Sequence, residues 1–350
     1  MLNKNKIKIE NLKTSDLKKF KIFVKKFYRN KIIVKKKFYK SSVFNKGMMD
    51  YLFKKKNSKY YNFKIIKKAN NIVGIHGYIP QSQFDSKLKN SEIFLGLLIG
   101  KKKLNFPIFP LTYNSIISDK KTFIGSVNPY FTPFLKLKKF QVKIMSHNLI
   151  ISKLIKKFNI LKIGNYKHSN IKLIRKDLNY KFLTKKELIN LNTKHIYNYQ
   201  IPLKSDKYII NRYINHPFYK YFIVGIFKNK NKLKIILVLR KINIKNSNVL
   251  RIVDLFGRNE DIPIIKNTLI ELLKIFNSEF VDIYSFGIPE KILEKSGFIN
   301  RFKFKNLIVP NYFEPLISEN VDLKVGFISK KVEKVRIFKG DCDQDHSRKI

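Results

Sequence analysis

Apolar positions along this chain fall into two blocks that repeat one order of periods. Residues 10–60 carry an apolar side chain every three or four positions among lysines, with Leu17, Phe20, Phe23 and Phe27 on one face, which predicts helix. The period then changes. Residues 62–67 and 72–79 predict two strands joined by a turn at Ala69-Asn70-Asn71, and 92–100 predicts a nearly all-apolar third strand. A loop at 101–110, a short helix near 112–117 and a strand at 122–127 follow. The second block runs the same way. Residues 222–227 and 232–239 predict a hairpin, 249–256 a strand, and 262–276 an amphipathic helix with Ile265, Leu269, Leu272, Leu273 and Phe276 on one side. A strand at 280–286 precedes a short helix opened by Pro289 and ended by Gly297, and 305–310 and 322–327 predict the last strands.

The repeated order predicts a mixed α/β (α+β) fold of two tandem domains, each a mostly antiparallel mixed sheet flanked by helices. The expected boundaries are 1–160 for the first domain, 161–204 for a connecting segment and 205–350 for the second domain with an acidic tail. A chain of 350 residues, 44% hydrophobic, can bury cores of this size.

Composition changes that picture little. Lys+Arg 74 against Asp+Glu 24 gives a net charge of +50, which would attract any polyanion. The excess is almost all lysine, spread along the chain together with abundant Asn and Ile, as A/T-rich codons would produce. Phosphate recognition favours the arginine fork. Nucleic-acid binding beyond nonspecific electrostatics is therefore not the leading expectation, and a basic nucleic-acid-binding protein stays as a third reading that rests on the charge alone. The single cysteine, Cys342, excludes an intrachain disulfide and a cysteine-based zinc site. The longest apolar runs are strand-sized and no signal-like segment opens the chain, so a cytoplasmic protein without a transmembrane segment is expected.

The chemistry-bearing residues concentrate between Arg212 and Asp345. Arg212-Tyr213, His216-Pro217, Tyr219 and Tyr221 form one cluster, and Arg-Ile-Val-Asp at 251–254 forms a second. Pro-Asn-Tyr-Phe-Glu-Pro at 310–315 and Asp341, Asp343 and Asp345 complete the set. An aspartate inside an apolar strand is costly unless paired, so Asp254 points to a specific role. Its spacing from Arg251 puts the two on opposite faces of a regular strand. His216 fits a general base in a polar acceptor site, or a hydrogen-bonded brace of the hairpin. The three alternating aspartates share one side of an extended segment. They suit sugar hydroxyls or a divalent cation, or lock the tail to lysines; the pattern lacks the glycine and closing glutamate of a calcium loop, and no metal is expected.

The element order and these clusters resemble the GNAT acyltransferase superfamily in tandem, and bacterial GNAT-like proteins associated with surface polysaccharide and glycan biosynthesis. Ile72-Val73-Gly74-Ile75-His76-Gly77-Tyr78-Ile79-Pro80 carries the likeness in the first half. The resemblance implies acyl transfer from acetyl-CoA or another acyl-CoA to an amino sugar or similar small amine. It implies a donor groove between the central strands, with pyrophosphate on backbone N–H groups at the following helix N-terminus. It assigns His216, Asp254, Tyr219 and Glu314 to catalysis. It assigns Arg212, Tyr213, Arg251, Asn311, Tyr312, Asp341, Asp343 and Asp345 to the acceptor, and Gly257, Arg258, Asn259, Lys102 and Lys103 to the cofactor. Two departures weigh against a standard cradle. The first loop lacks glycine after Gly100, and Glu260 and Asp261 put negative charge where a phosphate would sit. Leu293 stands where the family's acidic tyrosine is expected. A sugar- or partner-binding module without catalysis fits the same residues.

Overall fold

The computed structural model describes residues 7–27, 33–34, 37–38, 45–88, 92–101, 108–117, 121–125, 127, 131–164, 179–191, 193–228, 232–314 and 316–342. They form two compact units, unit one within Met1–Gly125 and unit two within Ser126–Asp345. The division falls at 125/126, where the sequence reading placed one at 160/161.

Unit one contains strands β1 (Ile7–Lys13), β2 (Tyr60–Lys68), β3 (Asn71–Pro80), β4 (Glu92–Gly100) and β5 (Lys121–Ile124), with helices α1 (Leu17–Phe27), α2 (Lys46–Phe53) and α3 (Ile108–Ile116). The sheet order is β1-β2-β3-β4-β5. Only the β4–β5 pair of this run is parallel. The expected helix over 10–60 is corrected at its start. Ile7-Lys8-Ile9-Glu10 alternates at the strand period and pairs with β2, Ile9 opposite Ile66. The expected face of α1 holds, with Phe20 and Phe23 buried. Ala69 and Asn70 adopt positive φ of 47° and 62°, as a two-residue hairpin loop of this hand requires.

His76 on β3 is buried and its Nδ1 lies 2.8 Å from Thr112 Oγ1, while Thr112 donates to Ile108 O. Burial pushes its pKa down to about 3 from 6.5. The neutral ring thus contributes stability that is complete above pH 6.5 and declines as pH falls towards 3, by about 1.4 kcal/mol per pH unit. Between pH 7 and 4 the stability measured by urea unfolding should fall more steeply in the wild type than in His76→Gln by this amount. An equal pH dependence in the two proteins would reject the assignment.

Unit two contains β6 (Ser146–Ile151), β7 (Tyr180–Phe182), α4 (Asp206–Ile209) continued by a π turn to Ile214, β8 (Tyr221–Lys228), β9 (Lys232–Ile244) and β10 (Ser247–Phe256). It continues with α5 (Ile265–Ile275), β11 (Phe280–Phe286), α6 (Glu290–Lys295), β12 (Ile299–Asn300) and β13 (Ile337–Phe338). The order is β7-β8-β9-β10-β11-β6-β12, with β13 attached to β11. As in unit one, an antiparallel hairpin leads to a strand, a helix and a parallel strand. The duplication reaches further back than expected. β7 pairs with β8 as β1 pairs with β2, so 161–204 supplies the first strand of the second repeat. Residues 159–161 are held to unit two because the buried Glu279 carboxylate accepts the N–H groups of Asn159, Ile160 and Leu161.

The helix expected over 262–276 begins as a 3-10 turn, Asn259–Ile264, that contains Pro263. Proline donates no N–H, and the α-helix proper starts at Ile265. Ile265, Leu269, Leu272 and Leu273 bury its predicted face with Leu250, Ile252, Leu255, Val281 and Ile283. Each such side chain contributes about 1.5–3 kcal/mol by leaving water. Gly297 takes the left-handed φ of 85° expected after α6. The expected strand at 305–310 is absent: Ile308 makes only an isolated bridge to Lys162. Among the described residues no helix is long and apolar enough to cross a membrane.

Candidate functional site

In both units the pairing of the two parallel central strands stops short of the end of the first of them. In unit one β5 pairs with β4 from Glu92 to Leu95. Beyond that, no strand among the described residues pairs with 96–100 on this edge, and Gly96, Leu97 and Leu98 are only half-buried. In unit two β10 and β11 pair only from Leu250–Val281 to Ile252–Ile283. Here the gap is filled. β6 covers the outer edge of β11 as far as Ser285, so β13, pairing Phe338 with Ser285, must lie on the edge facing β10. A Cβ added at Gly340 would stand 2.8 Å from Val253 O and would strike the Tyr213 hydroxyl. Gly287, at φ 92°, passes directly beside Val335 O. The segment 335–341 therefore runs between the two central strands, and Phe338, Lys339 and Gly340 are buried there.

A β-bulge sets which side chains meet this segment. The β9–β10 register shifts between Val238 and Leu239, leaving Val253 as the extra residue. Leu250 and Ile252 face the α5 core, and after the bulge Leu255 does too. Arg251 and Asp254 consequently share the other face. The expectation of opposite faces fails because it assumed a regular pleat.

On that face lie two buried ion clusters. In the first, Lys204 Nζ donates to Asp254 Oδ2 at 2.6 Å, and the Tyr213 hydroxyl donates to the same oxygen at 2.7 Å. Lys204 also lies 2.8 Å from Asp341 Oδ1, a charge contact outside hydrogen-bond angles. Phe338 N–H donates to Asp341 Oδ2 at 3.0 Å, and Arg212 Nη2 donates to Gly340 O at 3.1 Å. Burial raises the Asp254 carboxyl, Lys204 opposes this and Asp341 adds to it, and the result is about 6. Burial alone would lower Lys204, but the Asp254 and Asp341 carboxylates outweigh it and keep the ammonium protonated.

In the second cluster Arg251 grips Asp282 through Nε at 2.9 Å and Nη2 at 2.6 Å, and donates to Asn311 O and Pro310 O. His147 Nε2 lies 3.0 Å from Asp282 Oδ2, with its ring stacked on Tyr284 at 3.7 Å. Burial lowers His147 to about 4, against the pull of Asp282. Burial would raise Asp282, but Arg251 and His147 bring it down to about 2. Lys339 donates to Asn311 Oδ1 at 2.8 Å.

Nearer the surface, His216 Nδ1 accepts the N–H groups of Phe218 and Tyr219 at 3.1 and 2.9 Å, so its proton sits on Nε2. Tyr219 donates to Glu314 Oε2 at 2.6 Å, and Arg240 Nη2 pairs with Glu314 Oε1 at 3.2 Å. The Arg240 guanidinium lies 3.3 Å from the centre of the Tyr219 ring. At the expected cofactor loop, Gly257 O accepts from Arg336 Nη1 at 2.6 Å and Asn259 Oδ1 accepts from Arg336 Nη2 at 2.9 Å. Arg258 donates to the Tyr199 hydroxyl at 2.6 Å. Asp261 pairs with Lys234 at 3.4 Å.

No family model matches the sequence, and no curated protein matches it. Solved structures do. One is a candidate acetyltransferase from Pyrococcus horikoshii, at 9% identity over 97% of this chain and 96% of that one, with a TM-score of 0.48. Another is Saccharomyces cerevisiae N-myristoyltransferase with bound myristoyl-CoA and inhibitors, at 11% identity over 93% and 80%, with a TM-score of 0.47. A third, a conserved Enterococcus faecalis V583 protein of unknown function described as a candidate N-acyltransferase, shares 8% identity over 79% and 64%, with a TM-score of 0.46.

The structure thus gathers Arg212, Tyr213, Asp254 and Asp341 into one cluster, Arg251 and Asn311 into another, and His216, Tyr219 and Glu314 into a third. Tyr312 lies on the short strand Tyr312–Phe313, with the Lys339 ammonium 6.0 Å from its ring centre. Lys102, Lys103, Asp343 and Asp345 lie outside the described residues. Among the described residues no group of three His, Cys, Asp or Glu side chains is placed to hold a metal ion. Sequence reasoning missed Lys204, His147, Asp282, Arg240 and Arg336. Asp282 carried a usable signal, a lone acid in the apolar run 280–286. Lys204 carried none, being one lysine among many.

Proposed function

We propose that this protein is an acyl-CoA-dependent N-acyltransferase whose donor lies along the edge of β4 beyond Leu95 in unit one. The observation that supports this reading is the edge of β4 beyond Leu95, unpaired among the described residues and lined by the half-buried Gly96, Leu97 and Leu98. Such an edge offers backbone N–H and C=O groups to an extended ligand rich in amides, as an added strand would use them. An amine held against the thioester would attack its carbonyl carbon. The C–N bond forms, the C–S bond breaks, and the proton shed by nitrogen goes through solvent to the departing thiolate. Holding the two reactants in that geometry supplies much of the acceleration. An amino sugar is the acceptor class that the sequence resemblance implies.

Calorimetry with acetyl-CoA and longer acyl-CoA, followed by mass spectrometry of a panel of amines and amino sugars, tests the reading. Saturable binding and an acylated amine are expected. The absence of both binding heat at millimolar donor and any acylated product would remove it.

A further inference from the structure

The groove of unit two already has an occupant. The edge of β11 that faces β10 pairs with the chain's own residues Ile337 and Phe338. Gly340 fits against Val253 O only because it lacks a Cβ. Arg336 covers Gly257 O and Asn259 Oδ1, the place expected to face a pyrophosphate. Three more contacts hold the segment from the side: Lys204 on Asp341, Arg212 on Gly340 O, and Lys339 on Asn311. Withdrawing it would leave the buried Asp254–Lys204 pair facing an empty gap and would leave Ser285 and Phe286 of β11 without their strand partner on that side.

We infer that residues 335–342 are a built-in occupant of the gap between β10 and β11, so that unit two takes no acyl thioester and the chain binds a single donor. The stoichiometry rests on the donor reading of unit one; the occupancy of the gap does not.

Cys342 provides a native reporter. It is the one cysteine of the chain, it is buried, and its Sγ lies 3.4 Å from Phe338 O. In the folded full-length protein the thiol should react with Ellman's reagent at least about 100-fold more slowly than in guanidinium, because reaction requires the segment to open. Saturating acyl-CoA should leave that rate unchanged, with one donor bound per chain. Gly340→Val should expel the segment and expose the thiol while the far-UV dichroism stays as in the wild type. Should that variant fail to fold, Arg336→Ala, which loosens only one anchor, should raise the rate by a smaller factor. A thiol that is reactive in the wild type, a thiol exposed by acyl-CoA, or two donors per chain would overturn the proposal. If acyl-CoA does not bind at all, the donor reading of unit one fails, whereas a protected Cys342 released by Gly340→Val still supports the occupied gap.

Discussion

Lys204→Met should destabilise unit two by about 3–5 kcal/mol, the usual cost of stranding a buried charge. Lys204, Asp254 and their ion contact are fully buried, and the one ammonium serves two carboxylates, Asp254 and Asp341. A methionine fills a similar volume, so the loss reflects charge and not a cavity. The carboxyl of Asp254 already titrates near 6, above its ordinary 3.8, so the folded state takes up a proton there before the unfolded chain does. Stability from this group falls as pH rises from 3.8 to 6. Without Lys204 its affinity for a proton rises further. The deficit of the variant should therefore be largest at neutral pH and should narrow on acidification. Urea unfolding of the wild type and the variant at pH 7 and pH 5 measures both effects. Adding Asp254→Asn to Lys204→Met should recover part of the loss, because the neutral amide removes one of the two stranded carboxylates. A single variant within about 1 kcal/mol of wild type at pH 7 would mean that the cluster is hydrated and not a buried network.

Arg251→Met should cost a similar amount, about 3–5 kcal/mol, and should loosen the segment 310–314 as well. The guanidinium satisfies Asp282 with two bonds and fixes Pro310 and Asn311 through their carbonyls. Arg251→Lys should fall between the wild type and Met, since one ammonium keeps the charge but cannot reproduce the planar fork. For the wild type, Asp282 at about 2 lies below its ordinary 3.8, so its contribution is complete above 3.8 and disappears as pH falls through 2. In Arg251→Met the carboxyl would protonate at higher pH, and the deficit should narrow below about pH 4. Hydrogen exchange gives an independent reading: amides of 311–314 should lose protection in the variant while those of β8 and β9 keep theirs. Equal loss across the sheet would instead indicate global destabilisation.

Much of the architecture was legible in the amino-acid order. β4 and β11 begin and end where the apolar runs 92–100 and 280–286 do, and the buried face of α5 is the stripe seen at 3.6-residue spacing. The hairpin turn at 69–70 and the cap at Gly297 also follow local rules, since each depends on a backbone conformation that few residues adopt cheaply. The first strand escaped notice because Ile7–Lys13 lies on an edge, where hydrogen bonding to β2 outweighs a weak local pattern. Lys204 escaped for a different reason. Nothing local separates it from the other lysines; it is distinguished only by where Asp254 and Asp341 come to lie.

By itself, then, the sequence determined the two α/β repeats, their element order and the concentration of polar chemistry between Arg212 and Asp345. It did so because period, turn chemistry and lone acids in apolar runs act within a few residues. Only the tertiary structure decided what those residues do to one another. A one-residue bulge at Val253 moved Asp254 onto the face of Arg251, which a pattern of period two cannot encode. A segment about eighty residues downstream of β10 entered the gap between the central strands, and long-range pairing of that kind is set by the sheet and not by the segment's own composition.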